Sequence, residues 1–313
     1  MVVDDAGAAR LSRSVARGAA KAWTYSQLGL GRASDRITPG TFKKLILEIA
    51  RLPDGFPTAI DLLGMRLHIL KTEKASIDQE TLALGRELLV VCTFNDRDDH
   101  VDYYIAEVAR ACLGGSIAAA EARRLCENFV QALEGHGQAW RYDQLARALF
   151  EVQPEVALDV FFDRTDIRGR SALFRMSMID QHDGPVNYVP KDVLLSWAGK
   201  DVSTRFPWVA GVIRLFDKGP GQNELRWSAI ALNLLEHATD RKAVLAAFAA
   251  HIEPNSWSGS LADVLTPYLQ PIRELLKHPD PTVREWASSR ERRLLGRIDE
   301  ERKRDRQIDS RFE

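Results

Sequence analysis

The densest group of side chains able to do chemistry is FNDRDDHVDYY, residues 94–104, which brings together Asp96, Asp98, Asp99, His100 and Asp102. Oxygen ligands at such short intervals are what a hard cation such as calcium requires. The stretch lacks the central glycine and the distal glutamate that complete a calcium loop. It reads instead as an interhelical turn whose acids cap the next helix and favour its dipole. GLGRASDRITPG (29–40) and DKGPGQNE (217–224) place glycines near helix starts. A phosphate loop ends in Gly-Lys-Ser/Thr after a strand, and neither feature is present, so both read as interhelical loops. His68, His100, His136, His182, His237, His251 and His278 form no His-x-x-x-His pair and join no cysteine pair. No Gly-x-Ser-x-Gly elbow marks a nucleophile. The expectation is a protein that is not an enzyme, with no catalytic residues, no cofactor and no metal.

A second candidate is electrostatic. From Arg10 to Lys44 the chain has eight basic residues (Arg10, Arg13, Arg17, Lys21, Arg32, Arg36, Lys43, Lys44) against one acid, Asp35. Trp23 and Tyr25 lie among them. Arg10, Arg13, Arg17 and Lys21 on one surface could neutralise phosphates and bind nucleic acid. The whole chain weighs against this, because 43 basic and 44 acidic residues leave a net charge of -1 and no global attraction to a polyanion. The opposing reading is an amphipathic helix with Leu11, Val15, Ala19 and Ala22 on its inner face.

The elements that must position these residues are helical. The 313 residues are 45% hydrophobic and 28% charged, the balance of an ordinary globular chain. No run of eighteen apolar residues is long enough to span a membrane, and the N-terminal stretch lacks the apolar core of a signal peptide. Cys92, Cys112 and Cys126 are an odd number without close pairs, which supplies neither a disulfide framework nor metal spacing and suits a reducing cytoplasm. Phe42, Leu45, Ile46, Ile49 and Leu52 share a helical face after Pro39. The same period recurs around Leu82 and Leu88, through Val101, Ile105, Val108 and Cys112, and through Leu125, Phe129 and Leu133. Pro154 marks a corner between two helices. The stretch 168–190 is the least regular, and helical patterning resumes at Pro190. No alternating strand is expected anywhere. A dozen or more helices in short antiparallel succession make an all-α chain.

One turn is more specific. LLKHPDPTVREWA, residues 275–287, resembles the second half of a HEAT-type repeat. Asp280 suits a helix cap and Pro281 the first helical position. Val283 and Ala287, four apart, face inward, and Trp286 is expected to pack between helices. The resemblance implies an α-solenoid of antiparallel, divergent helix pairs, with Arg284 bonding across to a neighbouring turn. The C-terminal end is also similar to the final repeats of large bacterial helical-repeat proteins, some of which carry an upstream nucleotidase or NTPase domain and act in stress or phage defence. What this implies is a scaffold or recognition part that binds a protein partner. A nucleic-acid-binding helical-repeat protein is the alternative.

The expected organisation is an N-terminal helical array over 1–180, HEAT-like repeats over 181–298 and a charged helical tail over 299–313. From Asp299 to Asp309 Ile308 alone is apolar. Pairs Asp299–Lys303 and Glu300–Arg304 support an exposed helix. The helix should therefore leave the body after Ile298, as a solvated cap or as an arm touching a partner through Ile308 and Phe312.

Overall fold

The structure is a computed structural model. It describes residues 6–8, 10, 37–53, 55–92, 94, 101–134, 139–162, 184–221, 224–254 and 257–309, with the backbone alone at 139, 140, 308 and 309. The described residues are predominantly helical, with fourteen α-helices and little strand. The chain divides into two compact units, Met1–Leu194 and Leu195–Glu313.

The first unit contains α1 (Pro39–Ala50), α2 (Phe56–Thr72), α3 (Gln79–Val90), α4 (Val101–Cys112), α5 (Ala119–Glu134), α6 (Asp143–Val152) and α7 (Pro154–Phe162). Several start where the sequence supplies a reason. Proline opens α1 and α7, where its missing N–H is not needed. Asp78 caps α3 by accepting the Thr81 N–H at 2.8 Å. Helix α1 buries Phe42, Leu45, Ile46 and Ile49, a stripe at helical spacing that must be covered. Helix α2 is buried on most of its circumference, Ala59, Ile60, Leu62, Leu63, Gly64, Arg66 and Leu67 included.

The packing has an order of its own. Helices α1, α3, α5 and α7 pack in succession, each on the next odd-numbered one, and α2, α4 and α6 do the same. Cross-contacts join α1 to α2, α3 to α4 and α6 to α7. Two rows therefore lie against each other with the core between them. Its aromatic part is Phe129, Phe150, Phe161 and Phe162, with Phe94 stacked on Phe129 at 4.8 Å and edge-on to Tyr142 at 5.0 Å. Glycine permits a close approach between the rows: a Cβ at Gly85 of α3 would overlap Cys112 Sγ and lie 3.0 Å from Cys112 Cβ of α4.

Helix α8 (Lys191–Gly199) carries the boundary between the units. The second unit continues with α9 (Val202–Ala210), β1 (Phe216–Lys218), β2 (Leu225–Trp227), α10 (Ala229–His237), α11 (Arg241–Ala249), α12 (Leu261–Leu265), α13 (Leu269–Leu275) and α14 (Pro281–Asp309). Helix α14 is 29 residues long and packs on α11, α12 and α13. Its seam of Val283, Ala287, Leu294 and Ile298 is buried.

The absence of strand expected from the sequence fails at one place. Residues Phe216–Lys218 and Leu225–Trp227 pair antiparallel, with Phe216 opposite Trp227. Their rings lie 4.7 Å apart, and such cross-strand aromatic pairs are what stabilise a short ribbon. The loop around Gly219-Pro220-Gly221 is thus a hairpin connection. The following helix starts only at Ala229, where Ser228 Oγ accepts the Ala231 N–H at 3.2 Å. The ribbon is held down by Trp227, whose indole N–H donates to the Pro271 carbonyl at 2.6 Å.

Candidate interaction surfaces

Of the acidic group in 94–104, Asp96, Asp98, Asp99 and His100 lie outside the described residues. Asp102 is in the first turn of α4 and is 7% exposed. Its carboxylate does not cap the helix it belongs to. It accepts the Gln144 N–H at 3.0 Å and the Leu145 N–H at 2.9 Å, in the first turn of α6. Burial, with the neighbouring Asp143 side chain adding to it, raises the Asp102 carboxyl to about 7 against the pull of these two amides. Among the described residues no group of three or more His, Cys, Asp or Glu is placed to hold a metal ion.

The turn within residues 275–287 has its own arrangement. Asp280 Oδ1 accepts the Thr282 N–H at 2.8 Å, a cap that satisfies one of the orphan donors of α14. Val283 and Ala287 are fully buried. Arg284 does not bond across to a neighbouring turn. It folds back on its own, donating to the carbonyls of His278 at 2.8 Å and Pro279 at 2.6 Å. The bridging guanidinium belongs to Arg241. It donates to the Leu235 carbonyl at 3.1 Å and the Glu236 carbonyl at 2.8 Å at the end of α10, and to Asp280 Oδ2 at 3.2 Å. Trp286 is partly buried on α14, with the Arg290 guanidinium 6.0 Å from its ring centroid. The seam at Val283 and Ala287 points inward, and a residue three beyond Val283 but one before Ala287 falls on the edge of that face.

The row α2–α4–α6 carries a continuous set of polar contacts. Lys71 of α2 lies 4.0 Å from Glu107 of α4, Glu107 is 3.0 Å from Arg110, and Arg110 is 2.8 Å from Glu151 of α6. Beside them the Asp61 carboxylate of α2 hydrogen-bonds the Tyr104 side chain of α4. Tyr103 is 42% exposed, and the Arg147 guanidinium sits 4.6 Å over the Tyr188 ring. The odd row has ion pairs of the same kind, Lys43–Glu87 at 3.7 Å and Arg123–Asp159 at 3.5 Å. Single exposed ion pairs are worth about 0–1 kcal/mol, so these contacts set the register of a face more than they hold it together. Sequence reasoning looks for charges three or four apart on one helix, as Glu107 and Arg110 are, and so misses the pairs that join different helices. The Arg110–Glu151 partners are 41 residues apart.

The remaining expected sites are only partly visible. Arg10 is exposed on a helical residue, while Arg13, Arg17 and Lys21 lie outside the described residues. Phe312 lies outside them too, and Ile308 is present as helical backbone. Past Ile298, α14 does not lose touch with the body: Ser260, the cap of α12, donates to Asp305 Oδ2 at 2.7 Å. No described helix is long and apolar enough to cross a membrane. Set against known proteins, the chain matches no family model, no curated protein and no solved structure.

Proposed function

We propose that this chain is a non-catalytic α-solenoid scaffold, HEAT-like at its C-terminal turn, that binds a protein partner through the face formed by α2, α4 and α6. The observation that carries the reading is the packing order of the first unit, where odd helices rest on odd and even on even. That order arises when helix pairs stack and each pair touches its neighbours alone. Stacked pairs leave one row of helices as an extended surface, which is how such arrays bind partners. Tyr and Arg are among the side chains that dominate binding energy at interfaces, and the even row carries exposed Tyr103 with partly exposed Tyr104, Arg110 and Arg147. The repeat reading of the second unit is supported by Arg241, which ties the end of α10 to the Asp280 turn. The three free, buried cysteines suit a reducing compartment.

Affinity purification from the native host tests this, with the wild type beside Tyr103→Ala/Arg110→Ala. The expected result is one protein captured stoichiometrically by the wild type, bound at least tenfold more weakly by the double variant, with an unchanged helical circular dichroism spectrum. Equal capture by both, or none above background, defeats the assignment of this face.

A further inference from the structure

The charges of α14 are sorted by face. Three of its acids are engaged. Glu291 pairs with Arg273 of α13 at 2.7 Å, and Asp305 accepts from Ser260, the cap of α12, at 2.7 Å. Glu301 pairs within the helix with Arg304 at 3.0 Å. Two arginines are engaged with the body of the second unit as well. Arg290 and Arg297 share the Glu253 carboxylate, Arg290 at 3.7 Å, and Arg290 also donates to the Ala249 carbonyl at 2.7 Å. With the buried Leu294 and Ile298, these contacts hold the helix in place as far as Asp305.

What is left outside is mainly basic. Arg292, Arg293, Arg302, Lys303 and Arg306 are exposed, and among the described residues none of them has an acidic partner. Two exposed acids, Asp299 and Glu300, are likewise unpaired. At about 3.6 residues per turn, Arg292, Leu295, Arg302, Lys303 and Arg306 fall within about a third of the helix circumference, with Asp299 among them. Leu295 is 39% exposed. From Arg292 to Arg306 the stripe is about 21 Å long, at about 1.5 Å per residue.

We propose that this stripe docks an acidic segment of a protein partner, with carboxylates facing Arg292, Arg302, Lys303 and Arg306 and an apolar side chain over Leu295. The surface is separate from the α2–α4–α6 face and does not depend on it. Cations left without acids on an ordered helix are an electrostatic complement to such a segment, and complementary potentials steer encounter and reject like-charged partners. Because α14 is already held in place, little ordering is needed on this side of the contact. Single exposed ion pairs are weak, so the partner must engage several at once, and added salt must screen them. Asp299 favours a protein over a nucleic acid. A phosphate backbone carries an unbroken row of negative charge past that carboxylate, whereas a peptide can set a neutral or basic residue opposite it.

Fluorescence anisotropy with the full chain tests the stripe. The probe is a fluorescein-labelled peptide of glutamates with a leucine at every seventh position, long enough to span about 21 Å as a helix. It should bind at low salt, and raising salt from about 50 to about 300 mM should weaken it at least about tenfold. Arg302→Glu/Lys303→Glu/Arg306→Glu, all at exposed positions, should weaken it at least about tenfold with an unchanged circular dichroism spectrum. If that helix does not fold, Arg302→Gln/Lys303→Gln removes charge without adding any and should weaken binding at least about threefold. Asp299→Asn should tighten it. Tyr103→Ala/Arg110→Ala should bind the peptide as the wild type does, which keeps failure of this stripe distinct from failure of the α2–α4–α6 face. No binding at low salt, equal binding by the charge-altered variants, or tighter binding of a short DNA duplex than of the peptide overturns the proposal.

Discussion

Gly85→Ala probes a close contact between the two rows. In α3 the change should help by helix propensity alone, by about 1 kcal/mol. The structure opposes it. The new Cβ would overlap Cys112 Sγ, lie 3.0 Å from Cys112 Cβ and 3.2 Å from Val108 Cγ1. A thiol can rotate away, but a Cβ is fixed to its backbone, so α3 and α4 must separate. Overpacking of this kind costs about 1–3 kcal/mol. The fixed Cβ contact places this site in the upper part of that range, so the net loss expected is about 2 kcal/mol after the propensity gain. Urea unfolding followed by circular dichroism at 222 nm measures it. Cys112→Ala alone should cost about 1 kcal/mol for the small void it leaves. In the double variant the new methyl occupies part of that void, so the combined loss should fall short of the sum by about 1 kcal/mol, as contacting sites do. A Gly85→Ala protein more stable than the wild type by the propensity term would show that α3 and α4 do not approach this closely, and the two-row packing would have to be redrawn.

Three further outcomes are expected. Trp286→Ala should cost about 2–3 kcal/mol, below the ~3–5 of a fully buried aromatic, because the ring is only partly buried; a loss of about 5 kcal/mol in the same unfolding assay would place it in the core. Cys92, Cys112 and Cys126 should not react with the thiol reagent DTNB in the native protein, since all three are buried and burial pushes Cys92 and Cys112 up to about 12 and raises Cys126 as well; release of even one thiolate equivalent at pH 8 within minutes would contradict the packing. Duplex DNA should not bind appreciably at physiological salt; tight binding that falls steeply with salt and disappears on charge reversal at Arg10, Arg13, Arg17 and Lys21 would replace the protein scaffold with the nucleic-acid reading.

Much of the helical architecture is written locally. Phe42, Leu45, Ile46 and Ile49 recur at helical spacing and are all buried, because a stripe of that period has one way to leave water. Pro39, Pro154 and Asp78 begin helices at the positions their own chemistry dictates. The buried seam Val283–Ala287–Leu294–Ile298 could be read in the same way. The hairpin could not: strands of three residues are too short to show a period, and what holds Phe216 is Trp227, across the loop from it. A turn that resembles a repeat says which helix follows but not how far round that helix its neighbours reach, so the partial burial of Trp286 could not be read from it. The acids of 94–104 illustrate the limit best. Their composition announced a helix cap, and Asp102 is one, but for a helix that starts 41 residues further on. Local sequence determines which segments are helices and which of their faces are apolar, since both depend on neighbours a few bonds away. The partners of the buried Asp102 carboxyl, of Arg241 and of Arg110 were decided only by tertiary structure, because a charge taken out of water is satisfied by whichever group the packing brings within about 3 Å, and chain order carries no information about that group.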